Sequence, residues 1–434
     1  MSPFFDRPVI ELRDPVHGAI PVGAGELAVI DAPLFQRLRH VKQLGFGEYV
    51  FPGAVHHRYL HSIGAMHLAG EVCARALQSV PTLSAAGRTR VIQRARLAAL
   101  LHDIGHPPLS HAAESLLPSR GELLGPGCDH PEERASHEDV SHLVLTASPL
   151  AETLDRAFAA DGLSAAQIAA IITDKHPSIV EDGVDYGTLL HALVSGELDV
   201  DRMDYLLRDS YFAGVQYGLY DRGWLVSNVR VVVDDGIARL ALDVRAVPSF
   251  EHFLLARYHM FQMVYYHPIS DSYDATLRRW LAAVGPEARF PASLDAYVHC
   301  TDAWLRSRLE ASSDPWARRV VERKPFALLC ELRTAHDREL RDDIVGKLSA
   351  AGIDHLPLTA KPVLSRYANA PAESRTNPLL IIDPKPAFGR GPRIQRIEDV
   401  TDLFERYERT MRIERIYCAP EDKGRARAAL EGIR

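Results

Sequence analysis

The sequence predicts a mostly α-helical protein with a small β-hairpin and a smaller mixed α/β region near its C-terminus. Three observations predict this fold class. Apolar residues recur at helical spacing over most of residues 26–283. Within that stretch, residues 229–243 show two β-branched or apolar runs around an Asp-Asp-Gly turn signal. Apolar strand-like runs that alternate with helical patterns begin near residue 325.

The first elements are a hairpin and a helix. Residues 7–23 combine Val, Ile and Pro with glycines and predict a short strand or hairpin. The next helix is expected to start near Asp31 or Ala32, because Pro33 suits the first helical turn. Gly45 is expected to end it.

The middle of the chain is predicted to be helical. Residues 61–82 and 88–105 show the pattern of two amphipathic helices. Residues 117–134 are rich in Gly, Pro and charge and predict a loop. Residues 136–213 return to a helical pattern with a turn around residues 181–187.

The last part of the chain combines predicted helices with predicted strands. Residues 248–283 are predicted to be helical, and the runs FALLCEL, PLLIID and RIYCAP beyond residue 325 are predicted to be strands. We therefore expect a first domain over residues 1–285 and a C-terminal helical and α/β region over residues 286–434. The second region is expected to serve assembly or regulation.

Charge and cysteine usage restrict the class of protein. The formal charge of −7 does not indicate a nucleic-acid-binding protein with a dominant basic surface, although a local basic pocket remains compatible with it. The five cysteines are scattered without a CxxC pair, which is typical of the reducing cytosol. No signal-peptide pattern or membrane-length apolar run is found, so we expect a cytoplasmic protein.

Histidine and aspartate residues form a candidate metal-binding set. The adjacent pair His102 and Asp103 ends an apolar helix and offers one nitrogen and one anionic oxygen ligand. A His-Asp pair alone is common by chance. His61 and Asp201 would complete a set of two imidazoles and two carboxylates. Such a set suits a divalent transition metal and leaves positions open for water and a phosphate oxygen.

Five segments carry a family resemblance. They are DPVHG at 14–18, DAPLFQRLRHVKQLG at 31–45, FPGAVHHRYLHSIG at 51–64, LLHDIGHPPLSH at 100–111 and DVDRMDYLLRD at 199–209. In this order they resemble the HD-domain deoxynucleoside triphosphate triphosphohydrolases, over roughly residues 10–270 and more weakly beyond. The resemblance implies an HD-domain helical core and the hydrolysis of dNTPs to deoxynucleoside and inorganic triphosphate. It also implies that His61, His102, Asp103 and Asp201 hold one divalent ion of the Mn, Fe, Zn, Co or Ni class, or Mg together with substrate phosphates.

The resemblance also implies roles for the residues around the metal. Those with a catalytic role are His106, His111, His137 and Asp209, and those that contact substrate are Gln43, Arg58, Arg202, Tyr205 and Tyr265. Histidine can move protons near neutral pH, and a guanidinium offers a rigid fork to phosphate oxygens. Ordinary structural roles stay open: a histidine, His111 above all, can simply orient a ligand. Tyr205 can be a core residue, and Tyr266 competes with Tyr265 as a gate against a 2′-hydroxyl.

A regulatory site is implied by three further matches. Asp31, Gln36 and Arg39 correspond to family residues that hold a guanine nucleotide, dGTP or GTP, between subunits of a homotetramer. The alternative is that Asp31 caps a helix N-terminus and that Gln36 and Arg39 are surface residues.

Two other functions remain open at this level. One is a different HD-type nucleotide phosphohydrolase, such as a monophosphatase or a cyclic-nucleotide phosphodiesterase, in which His106, His111 or His137 serves a second metal. The other is a nucleotide-sensing protein that binds without hydrolysis, against which the complete ligand set argues.

Overall fold

The described part of the chain covers most of the sequence. The structure, a computed structural model, describes residues 8–173, 178–285, 289–333, 337–360, 378–385, 392–406 and 413–432. Arg7, where the first predicted strand segment starts, lies outside these residues. In the described residues the architecture is mostly helical, with three hairpins and a small C-terminal α/β region, so the predicted fold class is confirmed.

The helices enclose one large apolar core. In chain order they are α1 (Ala24–Ile30), α2 (Pro33–Gln36), α3 (Arg58–Leu77), α4 (Ala85–Leu101), α5 (Arg120–Leu124), α6 (His137–Ala147), α7 (Pro149–Phe158), α8 (Ala165–Thr173), α9 (Gly187–Ser195), α10 (Val200–Ala213), α11 (Arg222–Asn228), α12 (Val247–Met260), α13 (Pro268–Val284), α14 (Leu294–Tyr297), α15 (Asp302–Ala311), α16 (Pro315–Val321), α17 (Asp337–Ala350), α18 (Leu403–Arg406) and α19 (Lys423–Ala429). Short 3-10 helices lie at Arg37–His40, Gly45–Tyr49, Ser110–Leu116, Ala159–Asp161, Val244–Ala246, Ile397–Asp399 and Pro420–Asp422, and a π-helical turn lies at Phe261–Tyr265.

The strands form three sheets within the described residues. They are β1 (Ile10–Asp14), β2 (Gly18–Val22), β3 (Val180–Glu181), β4 (Val184–Asp185), β5 (Val229–Asp234), β6 (Ile237–Asp243), β7 (Ala327–Leu332), β8 (His355–Ala360), β9 (Leu380–Asp383), β10 (Arg393–Arg396) and β11 (Ile413–Cys418). Of the strand or hairpin predicted over residues 7–23, the structure shows the hairpin, in which β1 and β2 pair antiparallel. The hairpin predicted over residues 229–243 is confirmed as the antiparallel pair β5 and β6.

Helix α3 lies at the centre of the core. Most of its side chains are buried, including Met66, Leu68 and Val72, which are fully buried. A helix that is buried on nearly all sides must be enclosed by other elements. It packs against α4, α10, α11 and β5. Residues at its N-terminal end are thereby held rigidly.

The helix predicted from Asp31 or Ala32 to Gly45 is wrong in its bounds. The chain instead forms α1, α2 and the 3-10 turn Arg37–His40. Pro33 occupies the first turn of α2 as predicted, and its ring and missing N–H separate α2 from α1. Asp31 follows the last residue of α1, so it does not cap a helix N-terminus. Gly45 starts a second 3-10 turn rather than ending the helix.

Other predicted bounds shift slightly. Helices α3 and α4 begin and end three to five residues before the predicted limits of 61–82 and 88–105. The predicted loop 117–134 contains the short helix α5, because Ser119 and Glu122 form a capping box. The loop was predicted from composition, which does not indicate such a box. The predicted turn near 181–187 is the β3–β4 hairpin.

The C-terminal residues contribute to two sheets. β9 pairs in parallel with β6, and β10 pairs with β9, so these strands extend the sheet that contains the β5–β6 hairpin. β11 lies between β7 and β8 and carries its own small apolar cluster with α17 and α19. The division of the chain at residue 285 stays a prediction. In the described segments, we find no helix with the length and apolar character that a membrane crossing requires.

Candidate metal centre and active site

Three helices bring the four predicted metal ligands together. His61 lies in the first turn of α3, His102 caps the end of α4 with Asp103 after it, and Asp201 lies in the first turn of α10. His61 Nε2 lies 3.0 Å from Asp201 Oδ1, 3.4 Å from His102 Nε2 and 3.6 Å from Asp103 Oδ2. His102 Nε2 lies 3.5 Å from an oxygen of each carboxylate.

These separations are close to those around a shared divalent ion. Ligand atoms about 2.1 Å from one ion, at angles of about 90° to 109°, lie about 3.0 to 3.4 Å apart, and the candidate atoms lie 3.0 to 3.6 Å apart. His61, His102 and Asp103 form a group that could hold an ion, and Asp201 lies beside its two histidines. Both histidines also have the required tautomer, since His61 Nδ1 is 2.8 Å from Asp204 Oδ2 and His102 Nδ1 is 2.7 Å from Ala99 O. Each Nδ1 can donate there, which leaves Nε2 as a ligand. The residues present therefore can hold a metal.

The charge state of Asp103 suits a ligand. Burial alone would raise the pKa of its carboxyl group, but the Arg58 guanidinium and the flanking His102 and His106 hold that pKa well below its ordinary range. Asp201 is the most exposed ligand, with 29% of its side chain accessible, against 1% for His61. The centre therefore opens to solvent on the side of Asp201.

A buried network supports His61 from behind. The Asp204 carboxylate faces His17 Nε2 at 2.6 Å and accepts two hydrogen bonds of 2.8 Å from Arg208, which also donates to Asp14. Burial would raise the pKa of Asp204, but Arg208, His17 and His61 lower it well below the ordinary value.

Gly64 is required beside this network. A Cβ at this position would lie 2.0 Å from Asp204 Oδ1 and 2.1 Å from Arg208 Nη2. A glycine in the middle of a helix lowers helix stability by about 1 kcal/mol relative to alanine. Here the close approach of two charged groups explains why a glycine nevertheless occupies the position.

Two of the predicted catalytic histidines lie beside Asp103. His106 Nε2 is 3.2 Å from Asp103 Oδ1, and the His106 and His137 rings stack with their centroids 3.9 Å apart. His137 Nδ1 is 2.6 Å from Glu114 Oε1. Asp103, His106 and His137 also form a second cluster that could hold an ion. His111 lies in the 3-10 helix Ser110–Leu116, and its side chain is outside the described part.

A cavity of about 480 Å³ adjoins the centre. Its lining includes five of the predicted site residues, Gln43, Arg58, Tyr205, Asp209 and Tyr265. A volume of this order is typical of small-molecule sites.

The groups on the cavity wall are held in place by specific partners. Arg58 donates to Ser110 Oγ at 2.8 Å and pairs with Asp103. Asp209 accepts from the Tyr265 hydroxyl at 2.8 Å and faces His56 Nε2 at the same distance. Burial and Asp209 raise the pKa of Tyr265 well above its ordinary value, so its hydroxyl stays protonated.

Arg202 is not brought together with the other predicted substrate residues. Its guanidinium is buried and donates to the carbonyl oxygens of Gly196 and Glu197. It does not line the cavity. Neighbouring residues of a helix point in different directions, so the position next to Asp201 does not bring Arg202 to the same site. The predicted phosphate contact is therefore not supported.

The three predicted regulatory residues lie together on the surface. Gln36 donates to Ile30 O at 2.7 Å and accepts from Arg39 Nε at 2.7 Å. The Arg39 guanidinium covers the Tyr59 ring at 3.5 Å, and Asp31 acts electrostatically on that tyrosine. Asp31 and Arg39 are exposed, so the charges are accessible.

Several residues of the site were missed from the sequence. His17, Asp204, Arg208 and Glu114 received no predicted role, and neither did His56. A signal existed for two of them: His17 lies in the DPVHG segment, and Asp204 follows Asp201 by three residues, on the same helix face.

Comparisons with known proteins agree with this geometry. Residues 58–209, which contain the four candidate ligands, match the HD domain. A crystal structure of a hypothetical protein from Aquifex aeolicus superposes with a TM-score of 0.75 and 27% identity, covering 97% of this chain and 100% of that one. The fold and site thus define an HD-domain protein.

Named relatives narrow the family. The chain is 31% identical to the deoxynucleoside triphosphate triphosphohydrolase SAMHD1 homolog of Dictyostelium discoideum, over 70% of this chain and 55% of the relative. It is 28% identical to the human deoxynucleoside triphosphate triphosphohydrolase SAMHD1, over 61% of this chain and 43% of the human protein. The chain thus carries an HD domain over residues 58–209 and is similar to these deoxynucleoside triphosphate triphosphohydrolases. It spans about half the length of the curated relatives it matches.

The supporting network gives a testable prediction for metal affinity. Replacing Asp204 with asparagine removes the charge that orients His61, so divalent-metal affinity should fall about 10- to 100-fold. Calorimetric titration with Mn²⁺ measures this. Glu71→Gln, on the same helix as His61 and paired only with His67 in the described residues, is the control. Unchanged affinity in a folded Asp204→Asn protein would show that the network does not support the metal.

Proposed function

We propose that the protein hydrolyses dNTPs to deoxynucleoside and inorganic triphosphate. The observation that carries this proposal is a set of four candidate metal ligands joined to a cavity of about 480 Å³ by Arg58, which pairs with Asp103 and lines the cavity. The names of the relatives from Dictyostelium and human support the same reaction class. A bound divalent ion supplies Lewis-acid polarisation of a phosphate oxygen and lowers the pKa of water.

The protein's own residues bind, orient and move protons in this proposal. Arg58 is fixed by Ser110 and Asp103 and directs a guanidinium to the phosphates. His106, stacked on His137, is the candidate that protonates the departing 5′ oxygen, while Glu114 orients His137. His111 is proposed to share this role by family resemblance, and Asp209 to hold Tyr265.

Gln43 and Tyr265 are proposed to recognise the sugar. The Gln43 side-chain oxygen is buried at the cavity without a hydrogen-bond partner in the described residues, so it can accept from a sugar hydroxyl. Tyr265 is immobilised by Asp209 and stands edge-to-face with Tyr205 at 5.9 Å. A rigid ring on this wall can exclude a 2′-hydroxyl by shape.

A second candidate function has its own observation. The cluster Asp103, His106 and His137 could hold a second ion, as a phosphodiesterase-type mechanism would need. In the four-ligand proposal, the same two histidines act as proton carriers. Metal stoichiometry and product identity separate the two functions, and nucleotide binding without turnover would indicate a sensing protein.

Regulation and assembly are proposed as in the family. Asp31, Gln36 and Arg39 would hold dGTP or GTP at a subunit interface of a homotetramer, with residues 286–434 contributing to assembly. The exposed Arg39 guanidinium stacked on Tyr59 supports the proposal, because it offers both a charge and a fixed plane to a nucleotide. We also propose a cytoplasmic location, because the five scattered cysteines without a CxxC pair are typical of the reducing cytosol.

Product analysis tests the reaction. Purified protein with each dNTP and Mn²⁺ should yield nucleoside plus triphosphate, resolved by ion-exchange chromatography. Asp201→Ala should reduce turnover at least about 100-fold, since losing a ligand costs more than losing its supporting partner. Glu152→Ala, an exposed acid on α7, should leave turnover unchanged. Monophosphate or diphosphate products, or a fully active Asp201→Ala protein, would contradict the proposal.

Activation tests the regulatory site. Added GTP should raise the rate of dNTP hydrolysis in the unmodified protein, and Arg39→Ala should bring the ratio of activated to basal rate close to one. Arg318→Ala removes a comparable surface arginine from an exposed i,i+4 pair and serves as the control. An Arg39→Ala protein with full activation would reject this surface as the nucleotide site.

A further inference from the structure

Helix α13 supplies a wall of the cavity that the proposed reaction does not use. Ser270, Asp274 and Arg278 follow each other at intervals of four residues, so they share one helix face, and all three line the cavity. The groups proposed for the phosphates and the sugar come from other elements. The α13 wall is therefore available to the remaining part of a nucleotide, its base.

Two groups on this wall have no hydrogen-bond partner among the described residues. Ser270 is 8% exposed, and its hydroxyl has no hydrogen-bond partner in the described residues. No described residue forms a hydrogen bond or an ion pair with the Asp274 carboxyl group. Its neighbour Asp271 differs, because Arg415 donates to it at 2.5 Å.

Because no described residue pairs with it, the Asp274 carboxyl group holds its proton more strongly than an exposed carboxyl group does. Burial raises the pKa of its carboxyl group to about 7, against the opposing influence of Arg278. A carboxylate in such a place is stabilised by a ligand that brings donors to both oxygens.

The chemistry of the four bases selects among ligands. Guanine has two adjacent donors, N1–H and the 2-amino group, and can bind a carboxylate with two parallel hydrogen bonds. Adenine and cytosine each place one donor beside one acceptor, and thymine has a single N–H between two carbonyl groups. The Ser270 hydroxyl can donate to guanine O6, which is next to N1.

We propose that Asp274 and Ser270 on α13 select guanine, so that dGTP is the preferred substrate of the cavity. This inference rests on the proposed dNTP hydrolysis. It assigns base recognition to a helix that provides no metal ligand.

The test compares kcat/KM for the four dNTPs at one fixed GTP concentration, which keeps any regulatory effect equal. The unmodified protein should prefer dGTP about tenfold or more. Asp274→Asn should lose that preference and gain toward dATP, because an amide pairs a donor with an acceptor. Ser270→Ala should weaken it in the same direction, and Asp234→Asn, an exposed acid at the tip of the β5–β6 hairpin, should retain it.

Several results would overturn the proposal. An unmodified protein without base preference contradicts it. So does an unmodified protein that prefers dATP or dCTP, because a protonated Asp274 carboxyl group, with one donor and one acceptor, would select those bases. A folded Asp274→Asn protein that keeps the dGTP preference also contradicts it. If no dNTP is hydrolysed, the proposed function fails separately. Calorimetric binding of the four deoxynucleosides to the unmodified and Asp274→Asn proteins then decides: tighter deoxyguanosine binding that depends on Asp274 supports the inference, and equal binding rejects it.

Discussion

The buried carboxylate of Asp204 is the group on which the candidate metal centre depends. An isolated charge in a protein interior is strongly unfavourable, so it must be paired and fully hydrogen-bonded. Here the partners come from three parts of the chain: His17 from the turn between β1 and β2, His61 from α3, and Arg208 from α10 itself. One ion cluster thus joins the N-terminal hairpin to α3 and α10, two of the three helices that position candidate metal ligands.

This constraint explains several local choices of residue. Gly64 allows α3 and α10 to approach within the space that a methyl group would occupy. Gly105 has the same role on the other side of the centre, where a Cβ would lie 2.2 Å from His137 O. Asp14 accepts hydrogen bonds from the backbone N–H groups of Val16 and His17, which fixes the turn that presents His17. The cavity wall is tied down from further away, since Arg415 on β11 donates to Tyr266 O and to Asp271.

The sequence allowed the fold class and the grouping of the ligands to be predicted, because helical periodicity and short motifs are local properties. His61, His102, Asp103 and Asp201 each stand in such a motif. The partners of Asp204 could not be predicted in this way, since they meet only after distant segments pack. Arg202 shows the opposite failure: it is next to a ligand in sequence, but its side chain binds Gly196 and Glu197. Helix bounds near Pro33 depended on the proline ring and its missing N–H, and those near Ser119 on a capping box; the apolar pattern revealed neither.

The central proposal is that one divalent ion is held by His61, His102, Asp103 and Asp201, while His106 and His137 do not bind an ion and instead carry protons. An anomalous difference map from crystals grown with Mn²⁺ tests it most directly. The account predicts one strong peak per subunit at this centre, within bonding distance of all four ligands. A second strong peak among Asp103, His106 and His137, or no peak between the four ligands, would contradict it.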